Sequence, residues 1–257
     1  MKNIDIRDII SLSECAAKRI LDIYHQVSFA VSLKKDNSFL TQADHDAHTI
    51  ICEGLKKLYP DIPVISEESS AFHDFEIRKN WPYFFLVDPL DGTKEFVNRN
   101  DEFTINIALI RYAEPVLGVV HAPALDVIYY AEQGQGAYKL QENKKTRLPL
   151  VCNKNTEVIN VAVSRSHSCE KTENFIEKLK NQGKPIRTIA AGSALKFGLV
   201  AEGTVDFYPR FMPTMEWDTA AGHVLINEVG KKIVLADQNA GLYYNKPDLR
   251  NPGFIVE

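Results

Sequence analysis

Apolar residues recur at helical spacing in two segments near the start of the chain. The pattern predicts a first helix over 4–27, followed by a polar loop at 34–38. Thr41, with Asp44 three residues later, forms a capping box and predicts that a second helix begins there. We expect this helix to end at Pro60. Its predicted buried face consists of Ala47, Ile50, Ile51, Leu55 and Leu58.

Short apolar runs then predict strands. Val64-Ile65 and Tyr83–Val87 are two of them, and both end in acidic residues. From Phe103 to Tyr138 the segments FTINIALI, PVLGVVHA and DVIYYA are separated by turn-forming residues and predict antiparallel neighbours.

The polar segment 143–149 indicates a domain boundary near residue 150. Beyond it, apolar strand-like and helical segments alternate, which is typical of an α/β arrangement. We therefore expect an α+β half over 1–150 and an α/β half over 151–257. The predicted elements of the second half are strands in 158–164, 187–191 and 205–211, helices over 169–181, 193–202 and 218–228, and short strands near Ile233 and Phe254.

Two carboxylates follow the apolar strand at 83–87, in the sequence Asp88-Pro89-Leu90-Asp91-Gly92-Thr93. Asp-Pro and Asp-Gly are also ordinary turn dipeptides, so a plain turn is the simpler interpretation of each alone. Acids two residues apart at the end of a buried strand repel each other unless a cation lies between them. Mg²⁺ suits such a place because it prefers hard oxygen ligands, and the Leu90 carbonyl is a further candidate.

Two other acidic segments have equally simple alternatives. Glu67-Glu68 is by itself a solvated acidic loop, and Asp218, in WDTAAGH, is by itself an N-cap. An acid at a helix start also serves as a metal ligand while free backbone N–H groups face a phosphate. The combination of the three segments indicates a metal site.

Composition narrows the classes of function. The 257 residues are 45% hydrophobic and 25% charged, with a net charge of −4, as in an ordinary globular protein. The acidic balance disfavours a nucleic-acid polymer as partner. The N-terminus lacks the features of a signal peptide, and no apolar run is long enough for a membrane span. The four scattered cysteines predict reduced cytosolic thiols rather than a disulfide or zinc framework.

The order SEE, DPLDGT, WDTAAG resembles that of the lithium-sensitive, magnesium-dependent phosphatases that include inositol monophosphatase and fructose-1,6-bisphosphatase. Further segments make the chain similar to the CysQ-type 3′(2′),5′-bisphosphate nucleotidases. These segments are VSRSH, GSALKF, LVAEG, YPRF, PTMEWDTAAGH and NPGF. The resemblance covers essentially the whole chain and implies the layered αβαβα sandwich of that family. Phe39 departs from the pattern, because related enzymes usually have proline at this position; the change frees φ and restores an N–H.

The resemblance also implies the site. Two or three Mg²⁺ ions would be held by Glu67, Asp88, the Leu90 carbonyl, Asp91 and Asp218. Asp44 and Thr93 would work together on the attacking water, and Glu67 is counted with them as catalytic. The predicted substrate-binding residues are Gly92, Thr93, Ser164, His167, Gly192, Ser193, Lys196, Arg210 and Asp218. Lys196 is expected in the first turn of its helix, beside a docked phosphate, whereas Arg165 is more simply a solvated surface charge.

The implied reaction is Mg²⁺-dependent hydrolysis of 3′-phosphoadenosine 5′-phosphate (PAP) to AMP and phosphate in sulfur assimilation. The resemblance extends this to the sulfated form, 3′-phosphoadenosine 5′-phosphosulfate, and to inhibition by Li⁺. An inositol or sugar monophosphatase, a non-catalytic phosphoester sensor and a nuclease for very short RNA stay open as alternatives. The implied location is the cytoplasm, with weak peripheral association at the inner membrane left open, as is the oligomeric state.

Overall fold

The computed structural model describes residues 4–27, 30–33, 39–69, 74–150, 157–165, 169–238 and 240–257. The helices in this part of the chain are α1 (Ile6–Tyr24), α2 (Gln42–Leu58), α3 (Phe75–Arg78), α4 (Thr93–Val97), α5 (Glu170–Lys180), α6 (Leu195–Glu202) and α7 (Glu216–Glu228), with a 3₁₀ turn at Pro123–Leu125. The predicted His167 and Cys152 lie outside the described residues, as does the loop 34–38.

Strands form one large sheet and several small ones. The strands are β1 (Val31–Leu33), β2 (Phe39–Thr41), β3 (Val64–Ser66), β4 (Tyr83–Asp91), β5 (Thr104–Arg111), β6 (Glu114–Ala122), β7 (Val127–Glu132), β8 (Gly136–Gln141), β9 (Lys144–Arg147), β10 (Ile159–Ser164), β11 (Ile186–Ala191), β12 (Tyr208–Arg210), β13 (Thr214–Met215), β14 (Ile233–Leu235), β15 (Arg250–Asn251) and β16 (Phe254–Val256). The departure at Phe39 lies at the start of β2, which pairs with β1.

The large sheet has the strand order β3-β4-β5-β6-β7-β8-β9. β3 and β4 are parallel, and every later pair is antiparallel, as predicted for β5, β6 and β7. The polar segment 143–149, beside the predicted domain boundary, contains the strand β9, which the sequence did not predict. This short basic strand forms the edge of the sheet, and charged side chains are common at such edges because they discourage further pairing.

The layers follow from which helices pack on which sheet. Helices α1 and α2 cover one face of the large sheet, and α6 and α7 cover the other. On the far side of α6 lie β10 and β12, with α5 packed against β11 and β12. The order is helix, sheet, helix, sheet, helix, which confirms the expected αβαβα sandwich. One apolar core includes residues from both sides of position 150, such as Phe84 and Phe254; the division into two halves there stays a prediction.

Helix α7 lies very close to the sheet because β6 has a glycine where they cross. A Cβ at Gly118 would lie 2.4 Å from the carbonyl oxygen of Ala221, well inside van der Waals contact. α7 begins at Glu216, two residues earlier than predicted, so Asp218 occupies the first turn and is not the N-cap. Helix α6 begins at Leu195 rather than at 193.

The second helix agrees with its predicted start. Thr41 is the N-cap of α2, and Asp44 completes the capping box by accepting from the Thr41 backbone N–H. The residues Ala47, Ile51 and Leu55 are buried, and Ile50 and Leu58 are partly buried. Of the cysteines described, Cys15, Cys52 and Cys169 are free thiols. No helix in the described ranges is both long and apolar enough to cross a membrane.

Candidate active site

Three acidic side chains from different elements meet where β3 ends beside β4. Parallel pairing sets Ser66 beside Val87, so Glu67, just after β3, lies next to Asp88, which is still within β4. The first turn of α7 brings Asp218 to the same place. One carboxylate oxygen from each of Glu67, Asp88 and Asp218 lies within 4.8 Å of the others. We call these three residues the acidic cluster.

Burial and the neighbouring acids raise the pKa of Asp218, in the acidic cluster, and of its neighbour Asp91. Burial raises the pKa of Asp91, Lys196 opposes this shift, and the charge of Glu67 adds to it. Burial also raises the pKa of Asp218, and the charges of Asp91 and Glu67 raise it further. Such a group of carboxylates is stable in its charged form when a cation neutralises it. Since the donors are carboxylate oxygens, without sulfur or imidazole, the set fits a hard cation such as Mg²⁺.

β4 continues through the acids, whereas the sequence predicted that it would end at Val87. Its pairing with β5 is irregular between Asp88 and Asp91, and Asp88 Oδ1 accepts a bond from the Leu90 N–H at 3.1 Å. Bulges of this kind turn side chains away from the regular alternation of a strand. Gly92, with φ of 89°, then ends the strand and begins α4. A non-glycine residue rarely adopts this left-handed conformation.

Asp44 and Thr93 are in contact, as predicted. The Asp44 side chain is 1% exposed, and its Oδ1 accepts from the Thr93 hydroxyl at 3.1 Å. Its Oδ2 accepts from the Thr41 backbone N–H at 2.7 Å and from the Thr41 hydroxyl at 2.6 Å. The Thr93 hydroxyl also lies 3.3 Å from the Leu90 carbonyl oxygen. The capping box of α2 therefore fixes the carboxylate that orients Thr93.

Two polar residues on β5 lie at the site although the sequence did not predict them there. Asn106 is opposite Asp88 and Thr104 is opposite Asp91, and the Asn106 amide donates to Asp91 Oδ2 at 3.3 Å. Within the described residues, the Thr104 hydroxyl and Asn106 Oδ1 are buried without a hydrogen-bond partner. Buried polar atoms usually have partners, so this part of the site is suited to water or a bound ion. Polar residues inside the apolar strand FTINIALI were the available signal.

Cationic and hydroxyl groups lie beside the acids. Lys196 is 3% exposed, and its Nζ donates to the carbonyls of Ala191, at 3.0 Å, and Ser193, at 2.5 Å. As the second residue of α6 it lies in the first turn of its helix, as predicted, although the helix begins at Leu195 rather than at 193. Its ammonium folds back onto the preceding turn. Burial lowers the pKa of Lys196 to about 8, partly opposed by the charge of Asp91.

Ser193 and Arg210 each present a polar atom without a partner. In the part of the chain that the structure describes, the Ser193 hydroxyl and Arg210 Nε are buried and make no hydrogen bond. Ser193 has φ of 43°, which is uncommon for a residue with a Cβ. The positive charge of Arg210 lowers the pKa of both Lys196 and Asp218, so its guanidinium lies near both.

The turn that carries Ser193 is held by Glu102. This carboxylate accepts from the Gly192 N–H at 2.8 Å and pairs with the Arg165 guanidinium at 2.6 Å. A Cβ at Gly192 would lie 2.6 Å from the Glu102 carbonyl oxygen, so glycine is required here. Arg165 is an exposed surface charge, as expected, and its pairing with Glu102 is the feature that the sequence did not predict. Ser164 ends β10 opposite Ala191.

Comparisons with known proteins give the relatives of this chain. The profile described as the inositol monophosphatase family matches residues 6–257. The chain is 41% identical over 258 residues to the "3'(2'),5'-bisphosphate nucleotidase CysQ" of Salmonella typhimurium, covering 98% of each protein. It is 40% identical to the protein of the same name from Escherichia coli strain K12, covering 96% of this chain and 97% of the relative. The crystal structure of CysQ from Bacteroides thetaiotaomicron superimposes with a TM-score of 0.88 at 41% identity, covering 98% of this chain and 96% of that one.

Proposed function

Because the chain belongs to the inositol monophosphatase family, we propose that it is a Mg²⁺-dependent phosphatase that hydrolyses PAP to AMP and phosphate. Its 41% identity to a 3'(2'),5'-bisphosphate nucleotidase over 98% of both chains supports this substrate. The observation that carries the proposal is that a group of carboxylates lies beside a group of hydrogen-bond donors. The acidic cluster suits cations. The buried Ser193 hydroxyl and Arg210 Nε beside it, which have no hydrogen-bond partner among the described residues, suit an anion.

We assign the metal-binding role to Glu67, Asp88, Asp91, Asp218 and the Leu90 carbonyl, with two or three ions bound. Bound Mg²⁺ would supply positive charge that polarises the phosphate ester and makes a water molecule more acidic. The oxygen-only donor set and the repulsion among these acids support this assignment.

Thr93 and Asp44 handle the proton of the attacking water. Hydrolysis forms a bond from the water oxygen to phosphorus and breaks the bond from phosphorus to the 3′ oxygen. The Thr93 hydroxyl donates to Asp44, so its lone pair is free to accept the water proton while its own proton moves toward Asp44. The departing 3′ oxygen takes up a proton from a second water molecule and leaves as a hydroxyl, and the proton held by Asp44 returns to solvent.

The second phosphate of PAP distinguishes it from an inositol monophosphate. This phosphate does not react and needs donors of its own. Ser193, Lys196 and Arg210 provide hydroxyl, ammonium and guanidinium groups within one part of the site, and Gly92, Gly192, Ser164 and His167 complete the proposed substrate contacts. The same groups would bind the sulfated form of PAP.

Substitution of one metal-ligand candidate tests the proposal. Asp88→Asn keeps the size of the side chain and its bond to the Leu90 N–H but removes one charge from the acidic cluster. We expect phosphate release from PAP to be lost while the melting temperature stays within a few degrees. Retained turnover would refute the assignment. Asp74→Asn, which changes an N-cap of α3, is a matched control and should leave turnover unchanged.

An inositol monophosphatase is the second candidate, because its reaction needs the same acids. Phosphate release from PAP and from inositol 1-phosphate, each measured with and without Mg²⁺ and Li⁺, separates the two functions. The cationic groups described above favour the nucleotide.

A further inference from the structure

A buried ion pair, Glu216 with Lys246, lies near Asp218 and has no part in the proposed chemistry. Glu216, the first residue of α7, is fully buried and pairs with Lys246 at 2.7 Å. Both side chains are almost completely removed from water, since their exposed fractions are 0% and 9%. Lys246 belongs to the loop between β14 and β15, 30 residues away in the sequence.

The Glu216 carboxylate is fully used by that loop. Oε1 accepts from the Lys246 backbone N–H at 2.9 Å as well as from its ammonium, and Oε2 accepts from the Asn245 N–H at 2.7 Å. Arg78 holds the same loop, because its guanidinium donates to Asn245 Oδ1 at 2.7 Å and to the Lys246 carbonyl at 2.6 Å. The loop is thereby fixed to the beginning of α7.

The Lys246 ammonium connects the pair to both sides of Asp218. Besides Glu216, it donates to the Tyr243 carbonyl at 3.0 Å and to Asn251 Oδ1 at 3.0 Å. The Asn251 amide then donates to the Met215 carbonyl at 2.7 Å and the Thr219 hydroxyl at 3.0 Å. Met215 and Thr219 flank Asp218, and the Met215 N–H donates to Asp218 Oδ2 at 2.8 Å.

Stability alone does not account for a buried ion pair here. The cost of removing both charges from water often matches or exceeds their attraction, and apolar residues of similar volume frequently serve as well. What the pair supplies is a defined geometry, since Lys246 holds Asn251, whose amide bonds the Met215 backbone carbonyl before Asp218 and the Thr219 hydroxyl after it. Residues that orient metal ligands in this way commonly change metal affinity by about 10–100-fold when replaced.

We infer that Glu216, Lys246 and Asn251 are positioning residues that hold Asp218 in the orientation in which it joins the acidic cluster. This inference rests on the proposed metal-binding role of Asp218. We assign none of the three a catalytic role, because each acts on Asp218 through the groups it bonds, which include the Thr214 and Thr219 hydroxyls.

The test is Mg²⁺ binding to the double variant Glu216→Gln/Lys246→Met, measured by calorimetry without substrate. Removing both charges together avoids leaving one of them buried without a partner. The matched control is Lys139→Met/Glu202→Gln, which removes another largely buried ion pair, with N···O of 2.6 Å. Lys139 lies on β8, four strands from β4 in the large sheet.

We expect the first double variant to bind Mg²⁺ about 10–100-fold more weakly than the wild type, and the control to bind it normally. Equal Mg²⁺ affinity in the first variant and the wild type would overturn the inference. An equal loss of Mg²⁺ affinity in the control variant would also overturn it, because the effect would then come from a general loss of stability. Since calorimetry uses no substrate, its result stands whether or not the protein hydrolyses PAP.

A single substitution keeps the inference testable if the double variant does not fold. Asn251→Ala leaves the ion pair intact but removes its links to Met215 and Thr219. We expect about tenfold weaker Mg²⁺ binding. Unchanged binding in this folded variant would contradict the positioning role.

Discussion

Replacing Asp44 by asparagine separates its two roles, as part of a helix cap and as a partner of Thr93. The Asp44 carboxylate accepts from Thr41 through Oδ2 and from the Thr93 hydroxyl through Oδ1. Asparagine retains one acceptor oxygen, which the strong donors at Thr41 would occupy. Its NH₂ group then faces Thr93, whose hydroxyl turns to the Leu90 carbonyl, 3.3 Å away.

The expected effect on stability is small. The two bonds from Thr41 become bonds to a neutral oxygen, and the bond from Thr93 is exchanged for one to the Leu90 carbonyl. We expect a cost of about 1–2 kcal/mol in the free energy of unfolding. For a chain of this length, that corresponds to a decrease in melting temperature of a few degrees.

The expected effect on catalysis is much larger. An amide that donates to Thr93 accepts no proton from it, so the path from water through the hydroxyl is closed. General-base assistance typically contributes about 10²–10⁴-fold, or about 3–5 kcal/mol of barrier. We therefore expect kcat for phosphate release to fall by that factor. Thr93→Ser, which keeps the hydroxyl, should retain most of the activity.

The assay is steady-state phosphate release at saturating Mg²⁺, with melting temperatures measured in parallel. Asp5→Asn is the matched control, since Asp5 caps α1 by accepting from the Arg7 N–H at 2.9 Å. It should lose a little stability and no activity. If Asp44→Asn keeps kcat within about threefold of the wild type, the proposed proton path is wrong.

Three further predictions follow from the site and the packing. Arg210→Lys should raise KM for PAP by about tenfold or more, because the planar donors of arginine are lost. KM for inositol 1-phosphate should stay nearly constant. Equal increases for both substrates would argue against a role at the second phosphate. Gly118→Ala should lower stability by about 1–3 kcal/mol in denaturant titration, because its Cβ would lie 2.4 Å from the Ala221 carbonyl oxygen, and an unchanged midpoint would contradict the close packing of α7. Mg²⁺ at about 100 times its Kd should stabilise the fold by about 2.7 kcal/mol in thermal scans. Asp88→Asn should remove most of that gain. An unchanged melting temperature of the wild type would mean that the acidic cluster binds no Mg²⁺.

Local signals account for the features that the sequence predicted well. The capping box of Thr41 and Asp44 lies within four residues, so the start of α2 could be read directly. The antiparallel strands β5 to β7 follow one another with short turns between them. The acids are recognisable because they lie at the ends of such elements.

Features that depend on distant residues were missed. β9 is a basic segment whose extended form depends on pairing with β8. The start of α7 has Met215 as N-cap, which gives no sequence signal, and it is fixed by Lys246 and Asn251. Lys196 was expected beside a docked phosphate, and its bonds to the carbonyls of the preceding turn were not predicted. These features depend on contacts that form when the chain folds, so no local pattern predicts them.

The most direct test of the account is the ratio of kcat/KM for PAP to that for inositol 1-phosphate, measured with the wild-type protein in Mg²⁺. The account predicts a strong preference for PAP, loss of activity when Mg²⁺ is removed, and inhibition by Li⁺. A clear preference for inositol 1-phosphate would contradict it.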